Sequence, residues 1–302
     1  MSNKISKIIN ILFYISIIYN INQIIKKNNT FNNIKEFHNI IKSNESNAIF
    51  EDSILVENIR SNVIRNIEES YIFNNINRDF ILDSLKNIKI KFIDTHNYTL
   101  TDSTTASFFR MRLIEELIND TYHFRKLTPS NYDNIIIVDI KYLNDKELRD
   151  RYLYDIITHE LYHYVDLLYG DNNLYYHSKD LELSEFVDRE IFDNREYVNL
   201  KILKICGYIP YMVSEVNDIS IFPTFRISGN FEYLSQNIEL FARWMTFKSK
   251  LVKQKYIDNI NSDIDVYIIL DYTRDIEVDI FDMELLLTLD LDKIEELNNI
   301  LK

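Results

Sequence analysis

From residue 53 to residue 86, apolar positions recur at helical spacing among charged ones, through Ile54, Ile59, Val63 and Ile67, which predicts helix. Lys89 to Asp94 switches to a period of two, the alternation of a strand with one buried face. Helical spacing returns over residues 104–126 through Phe108, Met111, Leu113, Ile114 and Leu117. After Pro129, residues 134–140 (Asn-Ile-Ile-Ile-Val-Asp-Ile) form a β-branched run of strand length. Asn144 or Asp145 can then cap a long helix to about Tyr169, with Gly170 as a natural stop. Further helices are predicted over 181–205, 234–254 and 284–301. No solenoid-length repeat and no Gly/Ser- or Pro-rich linker divides the chain. The pattern describes a helix-rich α+β protein.

Composition changes how some of these signals are read. The 302 residues hold 49 Ile and 34 Asn but only 3 Gly, 3 Pro and 3 Ala. Ile, Asn, Lys, Tyr and Phe have A/T-rich codons, so the skew points to an A/T-rich genome and makes Asn clusters weak loop signals. With 46% hydrophobic and 27% charged residues, a full-sized core is available and whole-chain disorder is excluded. One cysteine, Cys206, excludes an internal disulfide framework and a Cys-rich zinc module. A net charge of −13 argues against nucleic-acid partners, which need a basic patch.

The charge is uneven. Residues 1–50 carry six Lys against Glu36 and Glu45, whereas residues 256–302 carry 13 Asp/Glu against Arg274, Lys293 and Lys302. Apolar residues interleave the acidic end, which reads as a folded, packed element with a solvated acidic face. At the other end, Lys4 and Lys7 precede the apolar run Ile8 to Ile18. That is the plan of a signal peptide or membrane anchor over residues 1–30. Asn20, Asn22 and Gln23 stop the run short of the ~20 residues a spanning helix needs. No small-residue cleavage site precedes Ala48, so an amphipathic helix packed on the domain remains the alternative. Localisation is left open between secreted, membrane-anchored and intracellular.

The long helix carries His159-Glu160-Leu161-Tyr162-His163. Histidines at i and i+4 project from one helical face, within reach of a single metal ion. The Glu beside the first His can hold and deprotonate a water at that metal. Composition alone would place this pattern in about one such chain in a hundred. A strand precedes the helix, and Ile156, Ile157, Leu161 and Val165 give it an apolar stripe. The bland alternative is two His on a half-buried helix with a surface Glu.

A catalytic zinc site needs a third protein ligand. The extended pattern with Gly and a third His downstream is excluded, because Asp166 and Tyr169 occupy those places. The remaining source is a Glu on a later helix. Glu239 is the best candidate, since it sits among Leu234, Ile238, Phe241 and Ala242, where an unpaired carboxylate is costly to bury. Against that reading, Glu239 could simply pair with Arg243 at i+4. Glu182, Glu185, Glu190 and Glu196 are rivals in a more charged segment.

His159-Glu160-Leu161-Tyr162-His163-Tyr164-Val165-Asp166, followed by Glu239-Leu240-Phe241-Ala242, resembles the catalytic domain of anthrax lethal factor and its relatives. Those are gluzincin-type zinc metallopeptidases. The resemblance covers about residues 85–250. It implies a helix-rich, α+β zincin-like fold with a small sheet packed on the active-site helix. It also implies Zn²⁺ held by His159, His163 and Glu239, Glu160 as general base, and Asp166 supporting a ligand from behind. A Tyr two helical turns before the Glu ligand stabilises the oxyanion in the family. Tyr233 is the nearest match, six residues ahead of Glu239 where the family spacing is seven. The separation of 76 positions from His163 to Glu239 exceeds the usual gap and implies an insertion at about 170–230, folded as extra helices near the cleft.

The expected organisation is a helical segment at 31–84, a catalytic domain at 85–254 and an acidic helical segment at 255–302. The expected activity is zinc-dependent endopeptidase cleavage of a polypeptide, lying antiparallel to an edge strand at 134–140. Alternatives are an inactive zincin-like binding module, a non-peptidase zinc amidohydrolase, or a structural protein with an accidental motif. Oligomeric state is not legible.

Overall fold

The computed structural model describes residues 54–73, 78–93, 106–110, 134–170, 177–190, 201, 205, 235–275 and 280–301. Two amphipathic helices open the described chain, α1 (Ile54–Glu69) and α2 (Arg78–Asn87). Their buried faces carry Ile59, Val63 and Ile67, then Ile81 and Leu85, as the apolar spacing requires. Three strands follow: β1 (Lys89–Ile93), β2 (Ala106–Arg110) and β3 (Asn134–Asp139). They form one sheet in the order β1-β3-β2. β1 pairs parallel to β3 with Lys89 opposite Ile135, and β2 pairs antiparallel with Ala106 opposite Val138.

The run at 134–140 is therefore the central strand, not an edge. Ile135 to Asp139 are all buried, and burial on both faces explains why the run is continuously apolar instead of alternating. Residues 106–110 are strand where helix was expected. Five residues offer too few positions to separate the two periods, and pairing to β3 decides the outcome.

After the single turn α3 (Lys141–Asn144), the long helix α4 (Lys146–Tyr169) begins at Asp145. The Asp145 side chain accepts from the Glu147 and Leu148 backbone amides at 2.9 and 3.2 Å. Gly170 ends the helix with an extended backbone (φ −64°, ψ 161°), so a left-handed cap is not what stops it. α5 (Asn237–Gln254) packs on α4, with Phe241, Trp244, Phe247 and Leu251 buried. Helices α6 (Val266–Asp275), α7 (Ile280–Thr288) and α8 (Ile294–Ile300) complete the described chain.

Of the helix predicted over 181–205, the first part is instead a single 3₁₀ turn at Leu183–Phe186 followed by a bridge from Val187 to Leu289, while Glu190, Lys201 and Ile205 are helical as expected and the residues from 191 to 200 lie outside the described residues. That bridge also divides the helix predicted over 284–301. Leu289 is drawn into the bridge, Asp290 caps a new 3₁₀ turn, and helix resumes at Ile294. Side chains from α1 to α8 share one continuous core, with α6–α8 contributing Ile269, Tyr272, Leu286 and Leu297. The acidic end keeps Asp258, Asp265, Asp271, Glu295 and Glu296 in solvent, as its pattern implied.

Two polar links set α4 against its neighbours. Ser249 of α5 takes hydrogen bonds with Tyr162 Oη (2.7 Å) and Asn66 Nδ2 (2.8 Å), tying α1, α4 and α5 together. Lys250 Nζ lies 2.5 Å from Asp155 and 2.7 Å from Asp282, and Tyr272 donates to the same Asp282. A buried cation shared between carboxylates holds helices in one register, because any other register strands a charge. The chain is mostly helical with a small mixed sheet, an α+β architecture as expected. Among the described residues, no helix is long and apolar enough to cross a membrane. The signal or anchor reading of residues 1–30 lies outside the described residues, as does most of the insertion at 170–230.

Candidate metal centre

Helix α4 delivers Asp155, His159 and His163 along one stripe, four residues apart. Glu239 stands in the first turn of α5, which runs antiparallel to α4, since Lys250 farther along α5 meets Asp155 earlier on α4. The two helices thereby bring Glu239 against both histidines. His159 Nε2 and His163 Nε2 are 3.0 Å apart. Glu239 Oε2 lies 3.4 Å from His159 Nε2, and Oε1 lies 3.3 Å from His163 Nε2.

Those separations test whether a cation fits. Two metal–ligand bonds of about 2.1 Å at the tetrahedral angle place their donor atoms about 3.4 Å apart. All three observed edges fall near that value, and the three donor atoms share one neighbourhood within 4.8 Å. Glu239 Oε2 is buried and makes no hydrogen bond of good geometry. A buried carboxylate oxygen left this way is costly unless a cation takes its lone pair. The His159–His163–Glu239 cluster can therefore hold a metal ion.

Electrostatics favour the ligating form of His159 and of Glu239, while Glu239 draws His163 toward its protonated form, whose proton a cation must displace. Burial, then the neighbouring His163, pushes His159 down to about 4, so its lone pair is available at neutral pH. Burial would also lower His163, but the approach and charge of Glu239, helped by Glu160 and Asp166, raise it above its ordinary value. Burial would raise Glu239, yet the two imidazoles hold it well below the usual carboxylate range. The carboxylate is thus ionised before any cation arrives.

Glu160 follows His159 on α4 and is buried to 8% exposure, close enough for its charge to act on His163. Asp166 is fully buried. Its Oδ1 accepts from the Ser178 backbone amide at 2.8 Å and its Oδ2 from the Ser178 hydroxyl. Burial raises Asp166 to about 6 even against those bonds. Its link to His163 is through charge, while its hydrogen bonds fasten the 177–180 turn to α4. Ser178 had no sequence signal as a partner.

The rival glutamates separate cleanly. Glu182, Glu185 and Glu190 are exposed and outside the cluster, and Glu196 lies outside the described residues. The ion pair between Glu239 and Arg243, the alternative to a ligand role, is not made, because Arg243 Nη1 pairs with Glu284 Oε2 of α7 at 3.0 Å. Tyr233, expected near the cluster, lies outside the described residues. No family model matches the chain, and no curated protein or solved structure matches it either.

Proposed function

We propose that the chain is a zinc-dependent metalloendopeptidase with a zincin-like fold. The observation that supports this most is the set of three donor edges at 3.0, 3.3 and 3.4 Å, with Glu160 next to one ligand on the same helix. Two imidazoles and one carboxylate are a donor set that suits zinc and leaves a fourth position open. The resemblance of the two motifs to the lethal factor group points the same way.

His159, His163 and Glu239 would hold the ion. Bound zinc supplies Lewis acidity toward water and the scissile carbonyl. Glu160 takes a proton from the attacking water and delivers it to the leaving amine. Tyr233 is proposed as the oxyanion donor on the resemblance alone, and Asp166 as the group whose charge steadies His163. Since β3 is central, an extended substrate would pair along β2, which among the described residues is the edge strand beside α4.

A catalytic role is favoured over a binding module because Glu160 is retained where only the reaction needs a base. The test is cleavage of a mixed peptide library by the full chain, with and without a chelator. New peptide termini should appear, vanish with the chelator and return on adding zinc. Chelator-resistant cleavage, or none at all from zinc-loaded protein, would contradict the proposal.

A further inference from the structure

On a helix, Glu followed four residues later by Arg is a favourable ion pair. Glu239 and Arg243 have that spacing on α5, yet Arg243 turns to Glu284 of α7 instead. The guanidinium has not left the neighbourhood, since its charge is among the influences acting on His159. Its Nε is buried without a hydrogen-bond partner, so donor capacity remains to be satisfied by a second carboxylate. Glu284 is 31% exposed in its side chain and belongs to the acidic C-terminal stretch.

We propose that Glu284 is a positioning residue for the metal centre: it holds Arg243 toward α7 and so leaves both oxygens of Glu239 to the cation. This rests on the metal-binding reading of the cluster. Released from Glu284, Arg243 has Glu239 one turn away as its nearest acid on the same helix. That pairing would compete with the metal for the same lone pairs, and an uncompensated guanidinium would also repel a dication. Pairing with Glu284 removes both effects at once.

The test is zinc affinity of the full chain, titrated against a chromophoric chelator, for Glu284→Gln, Arg243→Met and the double variant. Glu284→Gln should bind zinc about fivefold more weakly, the upper range for one partly exposed ion pair. Arg243→Met should bind at least as tightly as the unaltered protein. The double variant should return to the Arg243→Met value, because the harm done by losing Glu284 acts through Arg243. A double variant as weak as Glu284→Gln would mean that Glu284 only fastens α7, and would overturn the inference. Unchanged affinity in Glu284→Gln would overturn it too. An unaltered protein that binds no zinc would instead remove the metal centre itself, an outcome the same titration separates from the others.

Discussion

Glu160→Gln is expected to retain zinc and fold while peptide hydrolysis falls about 10²–10⁴-fold, the usual worth of a positioned general base. The amide matches the carboxylate in shape, so the packing around a residue with 8% exposure is preserved. What it loses is the ability to accept a proton. Zinc should stay because Glu160 is not among the three donors that converge. The check is a paired measurement of zinc content and cleavage rate on the same preparation. Full activity would assign the base elsewhere, and loss of zinc would make Glu160 part of the cation's own shell.

Glu239→Ala should weaken zinc binding by more than about a hundredfold and abolish cleavage. Losing a group that merely supports a ligand costs 10–100-fold, so losing a ligand should cost more. The two histidines would be left without the carboxylate that lies 3.3 and 3.4 Å from them. Glu182→Ala, Glu185→Ala and Glu190→Ala, all at exposed positions, should change stability by no more than about 0.5 kcal/mol and leave zinc in place. Arg243→Ala separates the readings further. An ion-pair role for Glu239 makes the two alanine variants alike, whereas a ligand role leaves Arg243→Ala with its zinc. Zinc lost from a rival variant but kept in Glu239→Ala would move the third ligand into the 182–190 stretch.

Much of the centre was legible because its chemistry depends on local spacing. His159 and His163 share a face by helical geometry, and Glu239 stood out as an acid in an apolar helix. Asp145 announced the start of α4 by residue type, and the apolar run at 134–140 announced a strand. Which place that strand takes in the sheet was not legible. Centrality depends on β2 and β1 arriving from either side, and residues 106–110 carry no alternation long enough to declare themselves. The partner of Arg243 was hidden for a similar reason. Local spacing favours Glu239, and only the packing of α7 brings Glu284, 41 positions away, into reach. The bridge between Val187 and Leu289, which displaces the start of one predicted helix and divides another, likewise joins segments about a hundred residues apart.

The central claim is that His159, His163 and Glu239 hold one zinc ion. X-ray absorption at the zinc edge, on the purified full chain with its metal content measured, tests it most directly. The account predicts about one zinc per chain, coordinated by two imidazole nitrogens and oxygen donors at roughly 2.0–2.2 Å, with the carboxylate oxygen lost in Glu239→Ala. A chain that takes up no zinc, or a shell with fewer than two imidazoles, would contradict it.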